Sequence, residues 1–407
     1  MKRPSLLYCS PVLPALTGNG LAMRAGTILR ALAERYRVSL LVVPLYWSPA
    51  SELVPALAER CQQVMVATDE VPGPASSPAS ASGLTGFGRR LMARGRARRS
   101  ELPTVEDEPF DVVHAFRPAT VEHVRPWLAR RDGGPALRLD LDLDDVESTI
   151  RRRIAERYEQ TGQPELAAAE RAEADRAVHV EARLLCDFDR VYVCSEADRR
   201  ALEARRAPGA AATIEILPNA LPPASVLPSP APDAPFTFLF IGTLSYFPNE
   251  DAIVSFCREA LPALRRMATR PFRITVAGVG MADAIQALAA IPEVDLVGAV
   301  ADVIDVYQEA HAVIVPIRAG GGTRIKILEA FAYRRPVVTT PVGVEGIAAS
   351  HDQHVLIADE PLDLAGHCAR LIASPRLCER LSDRAAALFE AEYSLAALIR
   401  RVHSLPT

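Results

Sequence analysis

The sequence is short of three features, each of which would indicate a different class of protein. No apolar run among its 407 residues approaches the roughly 18 residues of a membrane span, so we expect no transmembrane helix. The seven cysteines form no Cys-x-x-Cys pair, so we expect reduced thiols, with neither a disulfide nor a structural zinc ion. The formal net charge of −4 gives no general attraction to nucleic acid, which we do not expect as a partner.

Lysine and asparagine are also scarce. Of the 46 basic residues 44 are arginine, and the two lysines are Lys2 and Lys326. Lys326 therefore either occupies a position that needs a compact charge or is present by chance in a chain that favours arginine. Each of the three asparagines, Asn19, Asn219 and Asn249, stands beside Gly or Pro, where a left-handed turn is the alternative to a functional contact.

The composition is that of a globular protein, and the apolar residues follow a regular pattern along the chain. Hydrophobic residues make up 49% of the chain, which excludes a disordered protein. Short apolar strands alternate with amphipathic helices, which predicts α/β architecture with parallel sheets covered by helices on both faces. The predicted strands are residues 6–9, 38–43, 63–67, 111–115, 137–141, 190–194, 236–241, 273–277, 295–297, 312–315 and 336–339.

A proline-rich segment divides the chain. Residues 221–235 contain six prolines, so no helix or central strand crosses them. We expect a Rossmann-like, doubly wound domain over residues 1–221, a linker over 222–235 and a second such domain over 236–393. Ligands of such sheets bind at the carboxyl ends of the strands, so we expect the two domains to face a central cleft that holds the site.

Two segments depart from the alternation. Residues 71–86 have a loop composition and lead into residues 86–100, which carry six arginines. The arginine segment is either a basic helix that contacts anionic lipid or an anionic acceptor, or a solvated charged face. Residues 150–185 are rich in helix formers and break near Gly162, which predicts a pair of helices over the first domain.

The most informative stretch is residues 316–332, where three glycines follow a buried strand and precede a helix. A glycine-rich turn that opens a helix binds anions, because unpaired N–H groups and the positive end of the helix dipole point at the ligand. Gly320, Gly321, Gly322 and Thr323 are therefore predicted to hold a phosphate.

Charged residues continue this motif into the helix. Lys326 and Arg324 add positive charge beside the phosphate, and Glu329 stands one turn later, where a carboxylate can accept both hydroxyls of a ribose. Together they describe a nucleoside diphosphate at a helix start. The alternative is a surface ion pair between Lys326 and Glu329 above an ordinary turn.

These residues resemble family 4 of the retaining glycosyltransferases, which have the GT-B fold. In the second half the likeness lies in the sequence GGGTRIKILEAFA over 320–332 and in residues 240–244, 248–253, 335–340 and 343–346. In the first half, Gly18, Asn19 and Gly20 with Arg24 resemble the glycine loop that faces the donor phosphates. Residues 193–198 and 217–220 resemble the segments that precede the linker.

The resemblance implies a nucleotide-sugar donor, an acceptor hydroxyl and no metal cofactor. It also implies that helix 394–404 packs back on the first domain. The residues expected to bind the donor are Gly18, Asn19, Gly20, Arg24, Asn219, Gly242, Thr243, Asn249, Gly320, Gly321, Gly322, Thr323 and Glu329. The expected catalytic residues are Lys326, Arg324, Asp142 and Asp144.

The sequence departs from the common form of this family at three positions. The first of the family's two glutamates falls on Gly321, and its phosphate-binding arginine falls on Thr243. The family's first-domain histidine falls in residues 140–148, which carry carboxylates instead. The positive charge at the donor must then come from Lys326, Arg324 or Arg24.

The acidic cluster at Asp140, Asp142, Asp144 and Asp145 has three interpretations. Its carboxylates bind a divalent metal, contact the sugar or acceptor, or cap the helix that begins before Ser148. The resemblance favours contact with the sugar or acceptor.

We therefore expect a cytoplasmic glycosyltransferase, with peripheral contact at the inner membrane face as an option, that moves a sugar to a glycan, a lipid-linked molecule or a small molecule. One alternative is a sugar-nucleotide epimerase, whose acid and base groups would be His114 and the carboxylates near it. The other is a subunit that binds nucleotide sugar without catalysis.

Overall fold

The computed structural model describes residues 3–46, 53–67, 110–128, 137–228, 230–231 and 234–406. The predicted loop 71–86 and the arginine segment 86–100 lie outside the described residues.

The chain forms two compact units. The first comprises residues 1–149, 169–222 and 394–407, and the second comprises residues 150–168 and 223–393. The assignment of residues 150–168 to the second unit differs from the expectation that both predicted helices lie over the first domain. The reason is that Arg153 and Arg157 form ion pairs with Glu345 and Asp251 of the second unit.

The first unit is built on a seven-stranded parallel sheet with the order β3-β2-β1-β4-β5-β6-β7. Its strands are β1 (Ser5–Ser10), β2 (Arg37–Val42), β3 (Cys61–Val66), β4 (Val112–Phe116), β5 (Arg138–Asp144), β6 (Arg190–Val193) and β7 (Thr213–Ile216). The strand order reverses between β1 and β4, which is where such sheets bind ligands. Strand β7 was not predicted, because it is a partly exposed edge strand without a buried apolar run.

The second unit has a six-stranded parallel sheet with the order β10-β9-β8-β11-β12-β13. Its strands are β8 (Phe236–Ile241), β9 (Phe272–Ala277), β10 (Val294–Gly298), β11 (Ala312–Val315), β12 (Val337–Thr339) and β13 (Leu356–Ile357). The order reverses between β8 and β11. Strand β13 has two residues, too few to show a pattern in the sequence. The other predicted strands are confirmed, and so is the Rossmann-like class of both domains.

Helices flank both sheets. They are α1 (Gly20–Arg35), α2 (Pro55–Ala58), α3 (Val121–Leu128), α4 (Glu147–Gln160), α5 (Pro164–Asp187), α6 (Glu196–Glu203), α7 (Phe247–Ser255), α8 (Leu261–Met267), α9 (Asp283–Gln286), α10 (Val303–Glu309), α11 (Ile325–Ala332), α12 (Pro341–Val344), α13 (Pro361–Ala373), α14 (Pro375–Leu388) and α15 (Leu395–Ser404). None of the helices described here is long and apolar enough to span a membrane.

The last helix belongs to the first unit. Leu398 and Val402 of α15 are buried in the same apolar cluster as Ile28 of α1. Arg35, at the end of α1, donates hydrogen bonds of 2.7 Å to the carbonyl oxygens of Val402 and Leu405. These bonds satisfy carbonyl groups at the end of α15 that have no partner within the helix.

Replacing either of two helical glycines with alanine should have opposite effects on the free energy of unfolding. At Gly26 in α1 an added Cβ would lie 2.0 Å from the carbonyl oxygen of Ala15, whereas at Gly366 in α13 no atom lies within 4 Å. We expect Gly26→Ala to destabilise its unit by about 1–3 kcal/mol through overpacking. Gly366→Ala should instead stabilise its unit by about 0.5–1 kcal/mol, because alanine restricts the unfolded chain. Denaturant unfolding of both variants measures the two signs, and equal signs would contradict the packing at Gly26.

Candidate functional site: a glycine turn and a partly buried lysine

The site in the second unit begins where β11 ends. Residues 316–324 connect this strand to α11, and they contain Gly320 and Gly322 with positive φ angles of 107° and 69°. Side chains rarely adopt such angles, so the turn depends on glycine at both positions. The predicted turn between a buried strand and a helix is therefore present.

The turn presents unused hydrogen-bond donors. In the part of the chain that the structure describes, the backbone N–H groups of Gly321, Gly322 and Thr323 have no hydrogen-bond partner. The Thr323 hydroxyl is buried and also lacks a partner. Because the eight-residue helix α11 follows directly, the positive end of its dipole reinforces these donors. This arrangement suits a phosphate.

Lys326 brings its ammonium group to the carboxyl end of β8. Its Nζ donates a hydrogen bond of 2.8 Å to Oδ1 of Asn249 and lies 4.7 Å from the centre of the Phe240 ring. An added Cβ at Gly242 would stand 2.8 Å from this Nζ, so the approach requires glycine. Lys326, Asn249 and Gly242 were each predicted from the sequence, and the structure brings them together.

Asn249 connects this lysine to the loop after β8. Its Nδ2 donates to the carbonyl oxygen of Thr243 at 2.9 Å, while its Oδ1 accepts from Lys326. Thr243 therefore takes part through its backbone, and its side chain is exposed. The positive charge near Thr243 is supplied by Lys326.

Glu329 is buried, and its Oε2 accepts a hydrogen bond of 3.0 Å from the Tyr307 hydroxyl. Burial raises the pKa of Glu329 to about 7, although this hydrogen bond and Lys326 oppose the shift. The two residues one turn apart therefore do not form the exposed surface pair that was the alternative. Tyr307 was not predicted, because a tyrosine in α10 gives no sign in the sequence of the partner it reaches.

The pKa of Lys326 moves in the opposite direction. Loss of hydration and the nearby charge of Arg324 lower it to about 7, while Glu329 partly opposes them. A dianionic ligand at the glycine turn would restore the charged form, because an opposite charge within a few ångströms favours it. The lysine is thus ready to take up a proton when such a ligand binds.

Two arginines hold the carbonyl groups of the turn. Arg324 donates to the carbonyl oxygen of Gly321, and Arg153 from α4 donates to that of Gly320 at 3.1 Å. Arg324 was predicted as a charge for the donor, and here its guanidinium contacts the turn itself. Arg153 was not predicted, because nothing in the sequence connects it with residues more than 160 positions away.

The residues predicted in the first unit form a network of their own. Arg24 is fully buried and donates to Asp142 at 2.8 Å, to Asn219 at 3.1 Å and to the carbonyl of Leu217 at 3.1 Å. Asp142 has no exposed surface. This environment differs from the one expected for a donor-binding arginine and a catalytic carboxylate, because the two charges are already paired with each other.

Asp144 belongs to the same network and is the last residue of β5. Arg24 and Arg117 lie 3.4 Å and 2.5 Å from its carboxylate, and they hold its pKa below the ordinary value although burial opposes this. Both Asp144 and Arg117 have positive φ angles, of 61° and 69°. Arg117 also pairs with Asp145 at 3.1 Å, and it was not predicted.

A metal ion does not suit this cluster. Asp144, Asp145 and Cys194 are close enough together to share one ion. However, Arg24 and Arg117 already neutralise the carboxylates, and the Cys194 thiol donates a hydrogen bond of 3.1 Å to Asp144. A divalent cation would have to displace two positive charges, whereas Mg²⁺ and Ca²⁺ sites are built from uncompensated oxygen ligands.

None of the three asparagines is a left-handed turn residue, since none has a positive φ angle. Asn19, between Gly18 and Gly20, caps α1 by accepting a 2.9 Å hydrogen bond from the N–H of Ala22. Gly18 has a φ angle of 105°, so it turns the chain into this cap. Gly18 and Asn19 therefore fix the start of α1.

His114 is fully buried between the rings of Tyr8 and Tyr192, at centre distances of 5.4 Å and 5.5 Å. Burial lowers its pKa to about 4, and neither ring nitrogen has a hydrogen-bond partner in the described chain. Such a side chain is not accessible as an acid or base, which removes the main support for an epimerase.

Comparison with known proteins identifies the fold and one domain. Sucrose-phosphate synthase from Thermosynechococcus elongatus is 13% identical with a TM-score of 0.67, and 98% of each chain is covered. HepE from Anabaena in complex with UDP-glucose is 14% identical with a TM-score of 0.62, again over 98% of each chain. The chain has the GT-B fold.

A third solved structure and one family model also match the chain. A variant of TarM from S. aureus, in complex with fondaparinux, α-GlcNAc-glycerol and UDP, is 9% identical with a TM-score of 0.61 over 99% of this chain and 100% of that one. Residues 235–374 match the family model described as Glycosyl transferases group 1. No curated protein sequence matches the chain.

The buried pair in the first unit predicts a large effect on stability. Asp142→Asn should cost about 3 kcal/mol, the lower end of the range for breaking a buried ion pair, because the Arg24 guanidinium keeps only Asp144, at 3.4 Å, as a counter-charge. Glu122→Gln is the control, since Glu122 forms an exposed pair with Arg125 and should leave the unfolding midpoint unchanged. Combining Arg24→Met with Asp142→Leu should recover most of the loss. Denaturant unfolding measures all three, and an Asp142→Asn protein as stable as wild type would contradict a contribution of this pair to stability.

Proposed function

We propose that this chain transfers a sugar from a nucleoside diphosphate sugar to an acceptor hydroxyl, with retention of the anomeric configuration. The observation that carries the proposal is the row of three N–H groups without a partner in the described chain, at Gly321, Gly322 and Thr323, directly before the helix that carries Lys326. It lies in the domain that matches the glycosyltransferase family model. Breaking a sugar–phosphate bond places negative charge on the leaving diphosphate, and preorganised donors stabilise that charge.

The diphosphate accounts for the unusual residues of this site. The Lys326 ammonium lies close to Gly242, and a compact ammonium needs less space there than a planar guanidinium. Glu329 follows one turn along α11, where the resemblance places the ribose, and Tyr307 of α10 donates a hydrogen bond to Glu329. The resemblance also supports retention by attack on one face, in which the leaving phosphate accepts the proton of the acceptor hydroxyl. The residues of this site then need no separate base.

Several features of the substrate and setting remain part of the proposal. UDP is the first nucleotide to test, because HepE and TarM were solved with UDP or UDP-glucose. The acceptor is a glycan, a lipid-linked molecule or a small molecule. We propose that Lys326 and the N–H groups replace a metal ion, so EDTA should leave the reaction unchanged.

Hydrolysis of a panel of UDP-, GDP-, ADP- and dTDP-sugars tests the function. A transferase releases free sugar with the anomeric configuration of the donor, because water takes the place of the acceptor. Release of a C2 epimer would indicate the epimerase instead. Binding of a nucleotide sugar without any turnover would indicate the non-catalytic subunit. This subunit is the stronger of the two alternatives, because the chain has glycine at position 321 and threonine at position 243 instead of the family's glutamate and arginine.

Lys326 should contribute more to turnover than to donor binding. Lys326→Ala is expected to lower kcat by about 10²–10³-fold with a smaller change in KM, because the charge on the leaving group is larger in the transition state. Lys326→Arg should also lose activity, since the larger guanidinium cannot take the same position as an ammonium that lies close to Gly242. Steady-state kinetics with the donor identified by the panel measures both variants. Full activity of Lys326→Arg would show that only the charge matters.

Binding of the diphosphate should take up a proton above pH 7. The pKa of free Lys326 is about 7, so at pH 8 most molecules carry a neutral amine, which the bound diphosphate recharges. Calorimetry of UDP binding at pH 8 in buffers of different ionisation enthalpy should report up to about one proton per ligand. Lys326→Ala is the control, because it should bind the donor with only a small change and has no amine to protonate, so its uptake should vanish. Uptake that persists in this variant would assign the proton to another group.

A further inference from the structure

A part of the second unit that is remote in sequence reaches the glycine turn. Helix α4 carries Arg153, whose Nη1 donates to the carbonyl oxygen of Gly320 at 3.1 Å. The same guanidinium forms a two-pronged ion pair with Glu345, with one of its bonds at 2.8 Å from Nη2. Glu345 therefore orients Arg153, and Arg153 in turn contacts the backbone of the predicted phosphate site.

Holding a carbonyl group also fixes the N–H group on the other side of the peptide bond. The trans peptide unit is planar, so its C=O and N–H point in opposite directions. Arg153 holds the carbonyl of Gly320, so the N–H of Gly321 is directed away from it; Arg324 acts in the same way on the next peptide unit. Glycine rotates more freely than any other residue, so these two contacts decide where the donors point.

Helix α4 is firmly placed over this turn. Arg157 forms two hydrogen bonds with Asp251, of 2.9 Å and 2.8 Å, and both side chains are largely buried. The ring of Tyr158 stacks on Phe247 at a centre distance of 4.0 Å. Arg153 thus extends from a fixed helix.

The same helix explains why position 321 is glycine. An added Cβ there would lie 2.5 Å from Cγ1 of Ile150. Ile150 occupies the space that a side chain at this position would need, so the turn has no room for a glutamate. In this chain the support that reaches the turn comes from α4 instead.

We infer that Arg153, oriented by Glu345, is a positioning residue that aims the Gly321 N–H at the donor diphosphate. The inference rests on the proposed function, because it takes the ligand of the turn to be a nucleoside diphosphate. Arg153 acts through the backbone of the turn, so its loss affects ligands that carry phosphate and spares the nucleoside part.

Calorimetry and NMR on the full chain test the inference. UDP, GDP, ADP and dTDP are first titrated into the wild-type protein, and the diphosphate that binds is compared with its own nucleoside. Arg153→Gln should weaken binding of the diphosphate about tenfold, the effect of losing one oriented charge-assisted contact, and leave nucleoside binding within about twofold. Arg153→Lys should recover part of the loss, because an ammonium can still donate to Gly320. Glu345→Gln keeps Arg153 but weakens its alignment, so it should show a smaller loss of the same kind.

Two further variants separate this role from general damage. Arg265→Gln removes an exposed ion pair with Glu293 in the same unit and should change nothing. Arg157→Gln loosens α4 without touching the turn, so it should leave diphosphate binding closer to wild type than Arg153→Gln does. Equal losses for diphosphate and nucleoside, or equal losses in the Arg153 and Arg157 variants, would overturn the inference. If Arg153→Gln does not fold, Arg153→Lys and Glu345→Gln decide the matter by the same comparison.

The experiment distinguishes a wrong proposed function from a wrong role of Arg153. If the wild-type protein binds none of the four diphosphates, the proposed ligand is wrong and the inference falls with it. If the wild type binds one of them and the Arg153 and Glu345 variants bind it equally well, the site stands and only the role of Arg153 is wrong.

Discussion

The site depends on one partly buried ammonium group that packs against an aromatic ring. Lys326 projects from the first turn of α11 to the end of β8, between Phe240 and the backbone at Gly242. Its cost of desolvation appears as a pKa lowered to about 7, and Asn249 meets part of its hydrogen-bonding capacity. Glycine at 242 leaves room for it, and the positive end of the α11 dipole disfavours its charged form.

The two units use buried charge in opposite ways. In the first, Arg24 and Asp142 neutralise each other and have additional hydrogen-bond partners, so the group is complete without a ligand. In the second, the N–H groups of the glycine turn and the Thr323 hydroxyl lack partners within the described chain. Several unpaired donors at the start of a helix form an anion site, so a ligand is expected there.

Much of the fold could be predicted because it rests on local patterns. The buried parallel strands are short apolar runs, and β1 and β8 were located within a residue or two. Strands β7 and β13 were missed because one is an exposed edge and the other has two residues. The assignment of residues 150–168 to the second unit could not be predicted either. It depends on ion pairs such as Arg157 with Asp251, which join residues 94 positions apart.

The sequence alone determined the glycine turn, the helix after it and the importance of Lys326, because rare residue types and turn chemistry are visible along the chain. Only the tertiary structure decided the partners: Asn249 for Lys326, Tyr307 for Glu329, Asp142 for Arg24 and Gly320 for Arg153. The physical reason is that a side chain's charge and shape are local properties. Its burial and its hydrogen-bond partner are set by residues that folding brings next to it.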